Sequence, residues 1–209
     1  MPRQKNRCQW CVTGNDAYIA YHDEEWGVPA WDDQTHFEFL ILEAAQAGLS
    51  WATVINKRDG YRRAFVDFDA EKVARFTEKR IQKLMVDASI IRNQAKIRAA
   101  VNNAQLFLDI QEEFGSFTDY IWDFVDGTPI QNRWTSMSQI PATSKESDAL
   151  SKDLKKRGFK FVGSTIIYAH MQGTGLVNDH ETSCFRYKPI VALGKQGPKK
   201  KTRKTSKKK

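Results

Sequence analysis

Nowhere in the 209 residues does an apolar run approach the roughly 20 residues that span a bilayer, and the opening segment Met1 to Asn6 is polar and basic with no apolar region behind it. The chain is therefore expected to stay off membranes and to work in the cytoplasm. Cysteine is scarce. Cys8, Cys11 and Cys184 are the whole set, an odd number that cannot build a secreted disulfide framework without a free thiol, so metal ligation is the better use for them. Acidic residues are missing from the carboxyl-terminal segment Lys195 to Lys209, which holds nine of the 33 Lys and Arg. The rest carries 24 basic against 25 acidic residues, a net −1, so the overall charge of +8 does not by itself argue a nucleic-acid partner. Period-two alternation and internal repeats are also absent, which points away from a sheet protein and from a solenoid.

What is present reads as helix. Phe37, Leu40, Ile41 and Ala44 follow the spacing of one helical face over Thr35 to Ala47, with Asp32 or Asp33 as cap and Gly48 as terminator. Ser50 can cap a further helix through Trp51, Val54 and Ile55, so Gly48-Leu49-Ser50 is expected to be a tight turn. The pattern predicts more helices over Ala70 to Phe76, Glu78 to Ala88, Asn93 to Glu113, Phe117 to Val125, Lys145 to Arg157 and Val162 to Met171. The expectation is an all-α fold with one domain over 1–194 and a disordered, solvated basic tail over 195–209, where nothing apolar is available to bury.

Two groups of residues carry chemistry. Cys8 and Cys11 form a C-x2-C pair, His180 and Cys184 an H-x3-C pair, and His22 lies between them in sequence. All are zinc-type ligands, and an i, i+4 pair on a helical turn can reach one ion. Five candidates for four tetrahedral positions leave the choice open, and spacing alone prefers Cys8 with Cys11. Glu43 is the second feature, because it sits among Leu42, Ala44 and Ala45, where a carboxylate is costly without a partner. Taken alone it fits either a functional group or a satisfied structural acid.

Four strings, RCQWC with AYIAYHDEEWGVP, then LEAAQAGLSWATVINKR, then IIRNQAKI, and LKKRGFKFVGSTIIYAHMQGTGLVNDH, span nearly all of residues 7 to 184. Together they resemble the 3-methyladenine DNA glycosylase I family, within the helix-hairpin-helix superfamily. The chain departs from the family's usual glycines at Ala44 and Ser89. The resemblance implies a monofunctional hydrolase that releases N3-methyladenine as free base from double-stranded DNA, as a monomer, without lyase activity. It selects Cys8, His22, His180 and Cys184 as ligands of a structural zinc that joins the two ends of the domain, with Cys11 beside them. It makes Glu43 the group that reads the exocyclic amino group of adenine and stabilises positive charge, and it places Trp51, Tyr21, Tyr18, Trp10 and Trp26 around the base. Such rings attract a cationic base more than a neutral one.

For DNA, the resemblance implies a hairpin between Glu78 to Ala88 and Asn93 to Leu108, with Ser89, Ile90, Arg92 and Lys96 at the phosphates and Leu49 as a wedge beside the flipped base. Ser89 replaces a glycine that would permit positive φ. No lysine stands at the hairpin position that a lyase would use, and Asp109 is read as a surface residue rather than a catalytic one. The rival readings are a non-enzymatic zinc-stabilised DNA-binding protein and a bifunctional glycosylase/lyase for oxidised bases.

Overall fold

The computed structural model describes residues 5–12 and 14–197, so the basic tail lies outside the described residues from position 198 onward. Short polar side chains open most of the helices by accepting an amide from the first turn. Asn15 caps α1 (Asp16–Glu24), Asp32 caps α2 (Asp33–Gln46) and Ser50 caps α3 (Trp51–Ile55). After α4 (Arg58–Ala64), Asp69 caps α5 (Ala70–Ala74), Thr77 caps α6 (Glu78–Met85) and Asn93 caps the long α7 (Gln94–Phe114). Ser116 caps α8 (Phe117–Asp123) and Ser144 caps α9 (Lys145–Arg157); α10 (Ser164–Gly173) and α11 (Tyr187–Gly194) follow.

The predicted helices are all present, with ends displaced by a few residues where a turn replaces the last predicted positions. Three helices lay outside the prediction: α1, α4 and α11. In α1 and α4 the apolar positions are too few or too scattered to form a stripe of helical period, and α11 is a short apolar run broken by Pro189, so periodicity marks none of the three. The all-helical expectation also needs one correction, a two-stranded parallel pairing of β1 (Ile130–Gln131) with β2 (Val177–Asn178), Ile130 opposite Val177. No helix of the described residues is long and apolar enough to cross a membrane.

Helix α2 is the axis of the molecule, packed by α7, α8 and α10. Sequence periodicity suggests one apolar face, but nine of its residues are buried, from His36 and Phe37 through Ala45. Phe37 meets Phe107 of α7, and Phe107 stacks on Phe117 of α8 with centroids 4.3 Å apart. Each such ring removed from water is worth about 1.5–3 kcal/mol. A helix surrounded in this way takes any polar residue on its inner faces into the interior, and Glu43 is one.

Candidate functional site

The two chain ends meet at a cluster of sulfur and nitrogen atoms. Cys8, His22, His180 and Cys184 are all buried, and one potential ligand atom from each lies within 4.8 Å of the other three. His180 Nδ1 lies 3.4 Å from Cys8 Sγ and 3.6 Å from Cys184 Sγ, and His22 Nε2 lies 3.5 Å from Cys184 Sγ. Metal bonds of about 2.3 Å to sulfur and 2.0 Å to nitrogen at a tetrahedral angle place an S and an N about 3.5 Å apart, so the donor set fits one tetrahedral ion. The outer nitrogens are engaged as ligating histidines require. His22 Nδ1 lies 2.9 Å from Asp23 Oδ1, and His180 Nε2 lies 2.9 Å from the Trp26 carbonyl. A bidentate Arg7 holds Asp23 and keeps its carboxyl at about 2.

One expectation about this cluster changes, and the placing of Cys11 beside the four stands. His180 and Cys184 share a coil-and-turn segment before α11, closed by the bond from Cys184 N to the Glu181 carbonyl, and are not on a helical turn. Cys11, favoured by spacing, is buried and gives its thiol to the Cys8 carbonyl at 3.2 Å, outside the four-residue group. Asp179, next to His180, is a further organising residue. Its buried carboxylate accepts from Asn132, Trp134, Tyr168 and Gln172 at 2.7–2.8 Å.

The aromatic residues divide into two groups. Trp26 packs on the imidazole rings, 4.6 Å from His180 and 6.1 Å from His22, and so belongs to the wall of the cysteine and histidine cluster. Tyr21, Phe39 and Trp51 form the second group, with centroids 5.4 Å apart for Tyr21 and Trp51 and 6.3 Å for the stacked pair Phe39 and Trp51. Trp10 bridges the two, 5.0 Å from Trp26 and 6.4 Å from Tyr21, and carries Tyr18 edge-on at 5.1 Å. Sequence reasoning missed Phe39, although it sits one helical turn before Glu43 on the same face of α2.

Three buried polar atoms around Tyr21 have no hydrogen-bond partner: Trp10 Nε1, Trp51 Nε1 and Glu43 Oε2. An unpaired buried group costs about 1–3 kcal/mol, so three in one place mark a region short of a partner. Burial alone pushes the Glu43 carboxyl up to about 8, and Glu43 in turn helps raise the Tyr21 hydroxyl, whose own burial is the larger cause. Glu43 was expected as a standing carboxylate, yet with no cation beside it the neutral acid is favoured at pH 7.

Between Glu43 and Trp51 the chain turns sharply. Ala47 has φ −43° and ψ 113°, Gly48 has φ 77°, and Leu49 N bonds to the Gln46 carbonyl at 2.6 Å. This is a type II turn, which needs glycine at its third position. Leu49, at the turn's end, is 41% exposed.

The connection from α6 to α7 is tied down from within. Ser89 N donates to Asp87 Oδ1, Ile90 N to the Asp87 carbonyl and Ile91 N to the Tyr61 hydroxyl. Ser89 is not among the residues of positive φ, so this turn does not need the missing glycine. The Ser89 and Ile90 amides expected at phosphates are thus engaged inside the turn, and the Ile90 side chain is buried. Arg92 is exposed beside the first-turn amides of Gln94 and Ala95, which a helix leaves without intrahelical partners. Lys96, expected to add surface charge, instead donates to the carbonyls of Ala45 and Ala47 at 2.7 and 2.6 Å. Asp109 is exposed on α7.

Comparison with known proteins agrees with this geometry. The methyladenine glycosylase family model matches residues 10–187. The chain is 50% identical over 181 residues to DNA-3-methyladenine glycosylase 1 of Escherichia coli (strain K12), covering 87% of this chain and 96% of that protein. It is 47% identical over 178 residues to DNA-3-methyladenine glycosylase of Haemophilus influenzae, covering 85% and 96%. Its fold is similar, at a TM-score of 0.84 and 36% identity over 88% of this chain and 97% of the other, to a 3-methyladenine DNA glycosylase I from Staphylococcus aureus solved to explain 3-methyladenine recognition.

Proposed function

The chain belongs to the methyladenine glycosylase family, and from that premise we propose the residue roles by which it works. It is a DNA-3-methyladenine glycosylase, an enzyme that hydrolyses the N-glycosidic bond of N3-methyladenine in alkylated DNA. The observation that carries the role assignment is the set of unpaired buried atoms, Glu43 Oε2 with Trp10 Nε1 and Trp51 Nε1, around the Tyr21, Phe39 and Trp51 rings. A flipped base supplies what this region lacks, an aromatic plane to stack and polar edges to pair.

Glu43 holds the base. The methylated base is a cation, so its arrival favours the ionised carboxylate, which accepts from the exocyclic amino group and repels the carbonyl oxygen that guanine presents there. Trp51 and Tyr21 lie against its faces and favour its charge over neutral adenine. Tyr18 and Trp10 close the rim, and Trp26 supports Trp10 from the ligand cluster. Water then forms a bond to the sugar C1′ as the C1′–N bond breaks, the bonding pair neutralises the departing base, and the water proton passes to solvent. The base leaves well without protonation, so no strong acid is required and no lysine adduct forms.

The DNA-facing side of this reading is a helix-hairpin-helix of α6, the tied-down connection and α7. Arg92 and the first turn of α7 meet the phosphates of double-stranded DNA, and Leu49 fills the gap left by the flipped base. Zinc suits the cluster of two cysteines and two histidines. Four protein ligands leave no position for a reactive water, so the ion would staple residues 8–22 to residues 180–184 and take no part in the reaction. The glycosylase domain ends near residue 194 and acts as a monomer.

Incubation with methylated duplex DNA followed by chromatography of released bases tests the assignment. The expected result is free 3-methyladenine with intact strands. Borohydride trapping of a protein–DNA adduct would instead identify a lyase.

A further inference from the structure

We propose that Lys96 is a positioning residue whose ammonium clamps the junction between Glu43 and Trp51, so that the hairpin facing DNA also sets the shape of the base pocket. This rests on the pocket and hairpin roles given above. Lys96 stands in the first turn of α7, directly after the hairpin connection. Its ammonium reaches across to another element and holds two carbonyls there, Ala45 O at 2.7 Å and Ala47 O at 2.6 Å. Those carbonyls flank the end of α2, where the chain leaves the helix and enters the type II turn at Ala47 and Gly48.

The position of the clamp gives it its effect. Glu43 lies two residues before Ala45, Leu49 two residues after Ala47, and Trp51 is the first residue of the next helix. The catalytic carboxylate, the wedge and the stacking ring are thus strung along one short stretch, and Lys96 grips its middle. Helix carbonyls at a C-terminus carry partial negative charge with no intrahelical donor, so a cation there is well placed. Lys96 has no carboxylate partner among the ion pairs of the described residues, and is part-buried against the junction. A lysine serving phosphates would leave its ammonium free for them.

Two roles for Lys96 separate cleanly by experiment. In Lys96→Met the stem remains and the charged donor is lost. Three quantities are read: affinity for free 3-methyladenine by tryptophan fluorescence, single-turnover excision, and the salt dependence of binding to a duplex carrying an abasic-site analogue. The expected result is a loss of base affinity and excision of about 10- to 100-fold. The slope of log affinity against log salt stays unchanged, and Lys96→Arg, which keeps a cationic donor, restores most of both. A slope lower by about 0.9 with unchanged base affinity would make Lys96 a phosphate contact and overturn the proposal. If Lys96→Met does not unfold cooperatively, Gly48→Ala strains the same turn without touching the hairpin. The same paired losses at constant salt slope are expected, and intact base affinity overturns the proposal. A wild-type chain that neither binds nor releases 3-methyladenine defeats the pocket reading itself, and is recognised before any variant is compared.

Discussion

Gly173 on α10 lies so close to Phe39 on α2 that a Cβ there would sit 2.6 Å from the ring and 3.0 Å from the Tyr21 hydroxyl. A hydrogen in place of a methyl group lets Phe39 stack on Trp51 at an interplanar angle of 24°. Gly173→Ala is expected to push Phe39 and Tyr21 toward the base position. Overpacking of this kind costs about 1–3 kcal/mol. The expected outcome is a moderately lower melting temperature and a clear loss of affinity for 3-methyladenine. Phe39→Leu in the same chain should recover part of both by vacating the space. If calorimetric titration finds the base affinity of Gly173→Ala equal to wild type, Phe39 does not shape the pocket.

Metal analysis is expected to find one zinc per chain. Chelation should lower the melting temperature by a large margin, because an ion held by this cluster would join segments more than 150 residues apart in sequence. Asp23→Asn weakens the acceptor behind His22 and should reduce zinc affinity about 10- to 100-fold while leaving the ligand set intact. Equal zinc retention by this variant and wild type in a competition with a chromophoric chelator would remove Asp23 from that role.

Asp179 bears on stability through a buried network. Four donors converge on its two oxygens: Asn132 and Trp134 on one, Tyr168 and Gln172 on the other. In Asp179→Asn an amide faces one pair of donors and strands them, at roughly 1–3 kcal/mol for each. Denaturant unfolding should show that loss, while excision per folded molecule at low temperature stays near wild type. An unchanged unfolding midpoint would contradict it.

Most helices were legible because their apolar pattern and punctuation are local. Asp32 and Ser50, read as caps, each serve an amide three residues on. The cluster of Cys8, His22, His180 and Cys184 was legible only through the resemblance, since spacing favoured Cys11, and Cys11 bonds instead to the Cys8 carbonyl, which no pattern encodes. The reach of Lys96 and the place of Phe39 were illegible for one reason. Each acts across a gap between helices, Lys96 on carbonyls 49 and 51 residues away, and periodicity reports a residue's own helix face without the partner that covers it. The conformation at Ser89 was illegible for another reason, because the connection after α6 closes through the Asp87 side chain without positive φ.

The proton on Glu43 sets a pH dependence of both activity and stability. Burial pushes this carboxyl up to about 8, well above its ordinary value of 4.5. The free enzyme therefore holds Glu43 neutral at pH 7, while the base in alkylated DNA keeps its positive charge at every working pH and needs the anion. The kcat/KM for excision reports the free enzyme, so it should rise with pH up to about 8 and then level off. The sign for stability is opposite. The folded protein binds this proton more tightly than the unfolded chain, so the Glu43 contribution to stability falls as pH climbs from about 4.5 toward about 8. Glu43→Gln keeps the shape and removes both dependences. It should lower kcat/KM about 10- to 1,000-fold, worth about 1.4–4 kcal/mol, because the leaving group is already activated and the rings still bind the base. It should match wild type in stability below about pH 4.5 and become the more stable of the two as pH climbs toward about 8. Single-turnover profiles and thermal unfolding from pH 5 to 9 test both halves together. A variant that retains the rising limb would move that titration to another group and leave recognition to the rings.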